Sequence, residues 1–309
     1  MKPKLTVLFM ITVFLLASCS SVPKRPAEVF EIQSMADTLI GMANKEADQG
    51  NYAEALDFLA EAWRLAVTTD RPALRIRVNL GRANALYALG RTAEAERIWR
   101  TAEIEANFNE EPMLASACRV FRVRSTLMSG TGKPEDVLAL VQKELNVLKS
   151  DKLFYAMAWT VKGLSEKELG NFAEAEKSIM NALSIHEKER YLEQAAYDWY
   201  LIASIRSVAG NYQQALDALN RAIGFDRRAE NTFGLAMDWA AMGEVFTKMG
   251  NDGAATMSWR RSAEIFRAMD NDSQGVHYSR AQEVESRIKP INRDETERPP
   301  RSRNREVAE

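Results

Sequence analysis

The chain has 309 residues, of which 46% are hydrophobic and 27% are charged, and its formal net charge at pH 7 is -2. This composition is ordinary for a protein with a buried core, and it excludes a chain that is disordered throughout. A protein that contacts many phosphates needs an excess of Lys and Arg, so the near-neutral balance argues against a nucleic-acid binder.

Residues 1–18 have the pattern of an export signal. Lys2 and Lys4 precede an apolar stretch from Leu5 to Leu16, which is shorter than the ~20 apolar residues that a spanning helix needs. The stretch continues into Ala17, Ser18 and Cys19. A cysteine that follows two small residues at the end of an apolar segment is well placed for lipid attachment after cleavage.

This ending resembles the bacterial lipobox. The resemblance implies cleavage before Cys19 and acylation of its thiol and its new amino group, and two or more acyl chains make a stable anchor. It also implies the outer membrane, because Ser20 stands where the usual inner-membrane retention signal has Asp. We therefore expect a covalent lipid on Cys19, a tether over 19–29 and a protein that faces the periplasm. An ordinary signal peptide that happens to end near a cysteine is the alternative.

Glycines recur every 40 residues, at Gly50, Gly90, Gly130, Gly170, Gly210 and Gly250. At five of the six glycines, a small residue stands seven positions earlier. At five of the six, an alanine stands five positions later. These spacings lie on one face of a helix. The sequence therefore predicts six units of helix, left-handed glycine turn and helix, with the second helix capped by an asparagine at Asn51, Asn171, Asn211 and Asn251.

The unit resembles the tetratricopeptide repeat (TPR). The best copy combines Trp199, Ala203, Gly210, Tyr212, Ala215, Leu219 and Ala222. Each unit is longer than the 34 residues of that family, which implies longer helices, as in the extended subclass. Over 30–288 the resemblance implies an all-α, right-handed superhelical α-solenoid of about six TPR-like hairpins plus a C-terminal capping helix. HEAT-type repeats share this period and are the alternative fold.

Two segments depart from this pattern. In the third unit Val123, Glu135 and Gln142 replace the small residue and two alanines, which predicts looser packing and a turn displaced to Gly132. Residues 289–309 are rich in proline and in charges of both signs. Such a composition is typical of a disordered tail.

The sequence contains no catalytic constellation. His186 and His277 are its only histidines, and no zinc-binding pattern or nucleophile elbow is present. We expect His186 to be a solvated helix residue and Cys118 a small buried apolar one. The expectation is therefore a protein that is not an enzyme and that has no metal and no cofactor apart from the lipid.

The TPR resemblance implies that residues of the first helix line a concave groove, especially ten and six positions before each glycine. Tyrosine is enriched at the centres of binding interfaces. The expected groove residues are Asn44, Asn84, Arg124, Tyr197, Tyr200 and Glu244. The alternative is that the tyrosines pack between units and the asparagines are simply exposed.

These inferences point to a periplasmic scaffold or assembly factor that holds a protein or peptide partner in the cell envelope. The alternative is a transport accessory protein that passes a small ligand to a membrane partner. That role needs a pocket lined by Trp159, Trp199 and Trp239, although tryptophans at this spacing are typical of helix packing.

Overall fold

The computed structural model describes residues 31–270 and 276–288, and in that part of the chain it contains thirteen α-helices and no strand. The all-α solenoid is confirmed. The signal segment, the tether, Cys19 and the charged tail lie outside the described residues. The helices are α1 (Glu31–Asp48), α2 (Tyr52–Thr68), α3 (Pro72–Ala88), α4 (Thr92–Phe108), α5 (Pro112–Met128), α6 (Pro134–Leu148), α7 (Lys152–Glu168), α8 (Phe172–Glu189), α9 (Leu192–Val208), α10 (Tyr212–Ala229), α11 (Thr232–Lys248), α12 (Asp252–Met269) and α13 (Val276–Ser286).

Two kinds of turn alternate along the chain. The six repeat glycines lie between the two helices of each hairpin, with φ between +69° and +84°, a region that a side chain with a Cβ disfavours. Four of the five turns between hairpins within 31–270 also use a left-handed residue, although none is glycine: Asp70, Glu110, Arg190 and Glu230 have φ between +49° and +61°. The chain therefore reverses about every twenty residues.

The asparagine caps were predicted correctly at one position of four. Asn251 accepts a hydrogen bond from the backbone N–H of Ala254 at 3.1 Å. The side chains of Asn51, Asn171 and Asn211 make no capping bond, so the prediction is wrong there. Asn51 is engaged elsewhere, since its Nδ2 donates to Glu46 at 2.9 Å.

The small residue seven positions before each glycine marks the closest approach of the two helices in a hairpin. A Cβ built on Gly163 would lie 2.6 Å from Cδ1 of Ile179, and one on Gly243 would lie 2.3 Å from Nε1 of Trp259. The second helix presents a large side chain at these points, so the first helix has no room for one. Complementarity of this kind is what gives interiors their dense packing.

Successive hairpins stack mainly through the second helix of one hairpin and the first helix of the next, and the first helices also touch one another. Direct contacts join α1 to α3, α3 to α5, α5 to α7 and α9 to α11. The first helices therefore form an inner layer and the second helices an outer one. The terminal helix α13 packs against α12 and covers the open side of the last hairpin.

The third unit keeps its turn at Gly130, which has φ +69°, so the predicted shift to Gly132 is wrong. The departure instead lies in the helix that follows. α6 begins only at Pro134 and has 15 residues, of which Val137, Val141 and Leu148 are buried. The segment ahead of Pro134 extends the connection, and α6 is shorter than the other helices of the hairpins, which have 17 or 18 residues.

The close approach at Gly163 can be tested with a glycine that has free space around it. Gly163→Ala should destabilise the protein by about 1–3 kcal/mol because the new methyl group overlaps Ile179. Gly224→Ala is the matched control, since Gly224 is also helical and has nothing within 4 Å of its Cβ position. It should stabilise by about 0.5–1 kcal/mol. Urea unfolding followed by circular dichroism measures both, and equal effects would contradict the packing.

Candidate functional site: two cavities on the inner face

The turn of the first hairpin rests against the last one. Nε2 of Gln49 donates to the carbonyl oxygen of Glu230 at 3.1 Å. Nε2 of His277 lies 3.1 Å from Oδ1 of Asn51, and because an amide oxygen only accepts, the imidazole donates. We call this contact the seam, formed by residues 49–51 on one side and Glu230, Phe233 and His277 on the other. It closes the solenoid on itself.

Aromatic rings support the seam. The ring of Phe233 packs edge-on against Phe266 with centroids 5.9 Å apart, and His277 stacks on Phe266 at 6.4 Å. A Cβ on Gly50 would lie 2.9 Å from Phe233 and 3.1 Å from His277. Burial lowers the pKa of His277, which keeps the imidazole neutral in this apolar setting. The turn backbone therefore sits directly on the rings.

Two cavities adjoin on the inner face next to the seam. The seam cavity has a volume of about 330 Å³, and the cap cavity, between α9, α11 and α13, has about 500 Å³. Tyr200 and Met237 line both. The polar and aromatic residues of the seam cavity are Asp48, Tyr52, Arg124, Glu193, Gln194, Tyr197, Tyr200, Asp226, Asn231, Phe233 and Asp238.

The structure brings four of the six expected groove residues to these cavities. Arg124, Tyr197 and Tyr200 line the seam cavity, and Tyr200 and Glu244 line the cap cavity. Asn44 is exposed and Asn84 half-buried, and neither lines a cavity. The first unit reaches the seam cavity through the end of α1 and the start of α2 instead. The binding roles of all six residues stay predictions.

Tyr197 and Tyr200 form a flat platform in the seam cavity. Their rings stack with centroids 6.2 Å apart and planes 11° apart. Tyr197 is 38% exposed, so one face of the pair is open to the cavity and solvent. Burial raises the pKa of Tyr200, and its hydroxyl therefore keeps its proton. The pair combines an apolar surface with hydrogen-bonding groups, as binding surfaces commonly do.

Four carboxyl groups also converge on the seam cavity, from Asp48, Glu193, Asp226 and Asp238. Burial raises the pKa of Asp48 to about 7. Burial also raises the pKa of Asp226 and that of Asp238, and the charge of Asp226 raises the pKa of Asp238 further. Sequence reasoning missed all four, because acids on a charged helix give no sign that they will face a shared cavity.

The cap cavity is bordered by ion pairs with α13. Glu244 pairs with Arg287, which also lies 3.2 Å from Glu283. On the opposite side Nζ of Lys248 donates to Oγ of Ser207 at 2.9 Å. Glu244 therefore serves at least to hold the terminal helix over the last hairpin.

The expectation that His186 is solvated is wrong. His186 is 4% exposed, and its Nδ1 lies 2.6 Å from Oδ2 of Asp198, which is fully buried. Oγ1 of Thr160 donates to the other carboxyl oxygen at 3.4 Å. The face of α8 that carries His186 turns toward α9, so the imidazole satisfies a buried carboxylate between two helices. Neither member of the pair lines a cavity.

The three tryptophans at matched positions pack against cationic side chains. Arg221 lies 4.6 Å from the ring of Trp199, Arg261 lies 4.4 Å from Trp239, and Lys162 lies 5.5 Å from Trp159. None of the three lines either cavity. The tryptophan-lined pocket that a small-ligand carrier would need is therefore not formed by these residues.

Three further features of the described residues concern Cys118, possible metal ligands and possible membrane-spanning helices. Cys118 is fully buried, and burial raises the pKa of its thiol to about 12. No group of three or more potential metal ligands occurs within 31–270 and 276–288. In the same ranges, no helix combines the length and the apolar character that crossing a bilayer requires.

Residues 156–189, which form most of α7 and α8, match the sequence profile of the tetratricopeptide repeat. These residues are therefore similar to one tetratricopeptide repeat, and the described chain folds as an all-α solenoid of such hairpins. Tetratricopeptide repeats typically form protein-binding scaffolds. The units of this chain are longer than the 34 residues of that family.

Similar solved structures share this fold at low sequence identity. The Rap protein complexed with Competence and Sporulation Factor matches with a TM-score of 0.56 and 17% identity over 82% of this chain and 76% of that one. The APC/C hetero-tetramer Cut9–Hcn1 matches with a TM-score of 0.54 and 14% identity over 92% of this chain and 46% of that one. No curated protein sequence shows a significant similarity to the chain.

The seam can be tested through its glycine, Gly50. Gly50→Ala and Gly90→Ala introduce the same backbone strain, because φ is +78° and +77°, but only the first new methyl group meets Phe233 and His277. Gly50→Ala should therefore lose about 1–3 kcal/mol more than Gly90→Ala. It should also speed hydrogen exchange at Phe233 and His277. Equal losses with unchanged exchange would contradict a closed seam.

The buried carboxyls predict a pH-dependent stability. An acid whose pKa is raised by folding binds more protons in the folded chain, so its contribution is complete below its unfolded pKa of about 4 and is lost as pH rises through the folded value. For Asp48 that window ends near 7. The thermal midpoint should fall from pH 5 to pH 8, and the fall should be smaller in Asp48→Asn. Asp37→Asn, at an exposed position on the same helix, is the control and should behave as the wild type does.

Proposed function

We propose that this protein is a lipid-anchored scaffold or assembly factor of the bacterial cell envelope, and that its inner face holds a peptide segment of another envelope protein. The observation that carries the proposal is the pair of adjoining cavities that share Tyr200. Together they provide an aromatic platform, an unsatisfied carboxyl oxygen on Asp238 and a rim of charges. Binding sites for peptides combine these features.

The likeness to the Rap structure supports the use of this fold for binding. There, a protein with the same fold is complexed with Competence and Sporulation Factor. At 17% identity the likeness concerns the fold, so the partner of the present chain must be inferred from its own residues.

The membrane anchor is proposed on the sequence. The apolar stretch that ends at Cys19 resembles a lipobox, and Ser20 after it favours the outer membrane. The lipid on Cys19 and the tether over 19–29 place the solenoid on the periplasmic side, where envelope proteins are within its reach. The scaffold then works at the membrane surface on which its partner is assembled.

Binding, and not catalysis, is the activity that the inner face supports. The ionisable groups of the seam cavity are carboxyls, tyrosines and one arginine, and the buried His186–Asp198 pair does not line it. The small-ligand alternative is less well supported, because Trp159, Trp199 and Trp239 pack against cations outside both cavities.

Crosslinking in intact cells tests the use of the inner face. A photoreactive phenylalanine analogue at Tyr197 should form a discrete adduct with one envelope protein, because this side chain is on the platform and 38% exposed. The same analogue at Met257, which is 74% exposed on the outer helix α12, is the control. Adducts of equal yield and identity at the two positions would argue against an inner-face partner.

Replacement of the lipidated cysteine tests the anchor. Cys19→Ser should abolish labelling by a radioactive fatty acid and leave a precursor that retains residues 1–18, because the thiol is the acceptor. The wild-type chain should be labelled, cleaved and recovered with the outer membrane. Normal cleavage of the serine variant would overturn the lipobox interpretation.

A further inference from the structure

The seam cavity has more negative than positive groups. Its four carboxyls come from four helices, with Asp48 on α1, Glu193 on α9, Asp226 on α10 and Asp238 on α11. Among the described residues that line it, Arg124 is the one basic side chain. A second cation is nearby: the guanidinium carbon of Arg280 lies 4.8 Å from the ring centroid of Phe233. The acids therefore outnumber the bases at this site.

One of these acids has an oxygen without a partner. Asp238 is 2% exposed, and its Oδ2 makes no hydrogen bond. The adjacent carboxyl of Asp226 already accepts a bond from Nδ2 of Asn231 at 2.9 Å. A buried acceptor that stays unsatisfied destabilises the folded chain. Asp238 lines the cavity, so a bound group with N–H donors would remove that destabilisation.

The aromatic side chains favour a cation. The stacked pair Tyr197 and Tyr200 offers an open ring face, and Tyr52 and Phe233 line the same cavity. Cations bind over such faces, as Arg280 does over Phe233. A divalent metal would instead need a shell of six or more oxygens, and the described residues hold no such group.

The size of the cavity limits the ligand. About 330 Å³ is near the lower end for small-molecule sites. The space suits a single side chain or a small amine. It is open on the side of Tyr197, which is the inner face along which a peptide would run.

We propose that the seam cavity binds the ammonium or guanidinium group of a lysine or arginine side chain on the partner protein. The proposal rests on the proposed function for the source of the cation. A free small amine has the same chemistry, and the experiment below separates the two sources. The cation bridges the seam, because Asp48 and Tyr52 belong to the first hairpin and Asp226 and Asp238 to the last two.

Binding should also release protons. Burial raises the pKa of Asp48, of Asp226 and of Asp238, so the empty cavity holds protons near neutral pH that an incoming cation displaces. The other titratable and charged groups that face it are Tyr52, Arg124, Glu193, Tyr197, Tyr200 and Arg280. Affinity should therefore increase from pH 6 to pH 8.

Calorimetry on the purified full chain tests the chemistry with five probes. These are n-propylguanidinium, n-butylammonium, neutral n-propylurea, and an acetylated, amidated Gly-Ser-Arg-Ser-Gly peptide with its glutamine counterpart. The two cations and the arginine peptide should bind and release protons, and the urea and the glutamine peptide should not. Equal binding of the urea and the guanidinium would overturn the proposal.

Variants locate the site. Asp238→Asn should weaken guanidinium binding at least about tenfold, because it removes a charge-assisted acceptor. Glu193→Gln, at a half-buried position, is the second variant if circular dichroism shows that the first does not fold. Glu283→Gln, in the cap cavity, is the matched control and should stay within about twofold. Unchanged affinity in both cavity variants would overturn the proposal.

The probes also separate the sources and the two hypotheses. An arginine peptide that binds at least tenfold more tightly than propylguanidinium supports a partner side chain, and equal affinities overturn that source. If crosslinking at Tyr197 persists and no cation binds, the scaffold function is supported and the cation site is rejected. If a cation binds and no partner is crosslinked, the scaffold function is rejected and the cation site is kept.

Discussion

The structure depends on how closely the two helices of each hairpin approach each other. Where the second helix carries Ile179 or Trp259, the first has room only for Gly163 or Gly243. This fit holds the two helices of a hairpin together, and each second helix packs in turn on the first helix of the next hairpin. Without that packing the first turn would not meet the last unit.

The seam turns a repetitive scaffold into a specific one. Contacts between Gly50 and the rings of Phe233 and His277 bring Asp48 next to carboxyls that lie far along the chain. Burial of these acids is unfavourable in the empty protein, because it disfavours their charged form. A bound cation would offset that cost, and this is why the same residues both limit stability at higher pH and favour a ligand.

The repeating part of the fold could be predicted from the sequence. The glycine period and the row of small residues fixed the number of hairpins, because both report local packing. The turns at Asp70, Glu110, Arg190 and Glu230 could not be predicted, since polar residues other than glycine give only a weak signal for left-handed backbone. His186 looked like part of a solvated charged segment, yet it pairs with Asp198 across two helices.

The candidate site was only partly predictable for a related reason. Arg124, Tyr197 and Tyr200 could be placed on the inner face from their positions in the repeat. Asp48, Asp226 and Asp238 could not, because their meeting depends on the rotation accumulated over six units. The contact between Asn51 and His277, 226 residues apart, carries no local sequence signal.

The most direct test of a closed inner face is a distance across the seam in solution. Spin labels on cysteines at Lys45 and Arg227, both exposed, can be measured by double electron–electron resonance in a chain with Cys19 replaced by Ser. Cys118 is buried and should stay unlabelled. The closed seam predicts one narrow distance that matches the structure. A broad distribution centred at longer distances would show that the first and last units do not meet, and the seam cavity would then not exist.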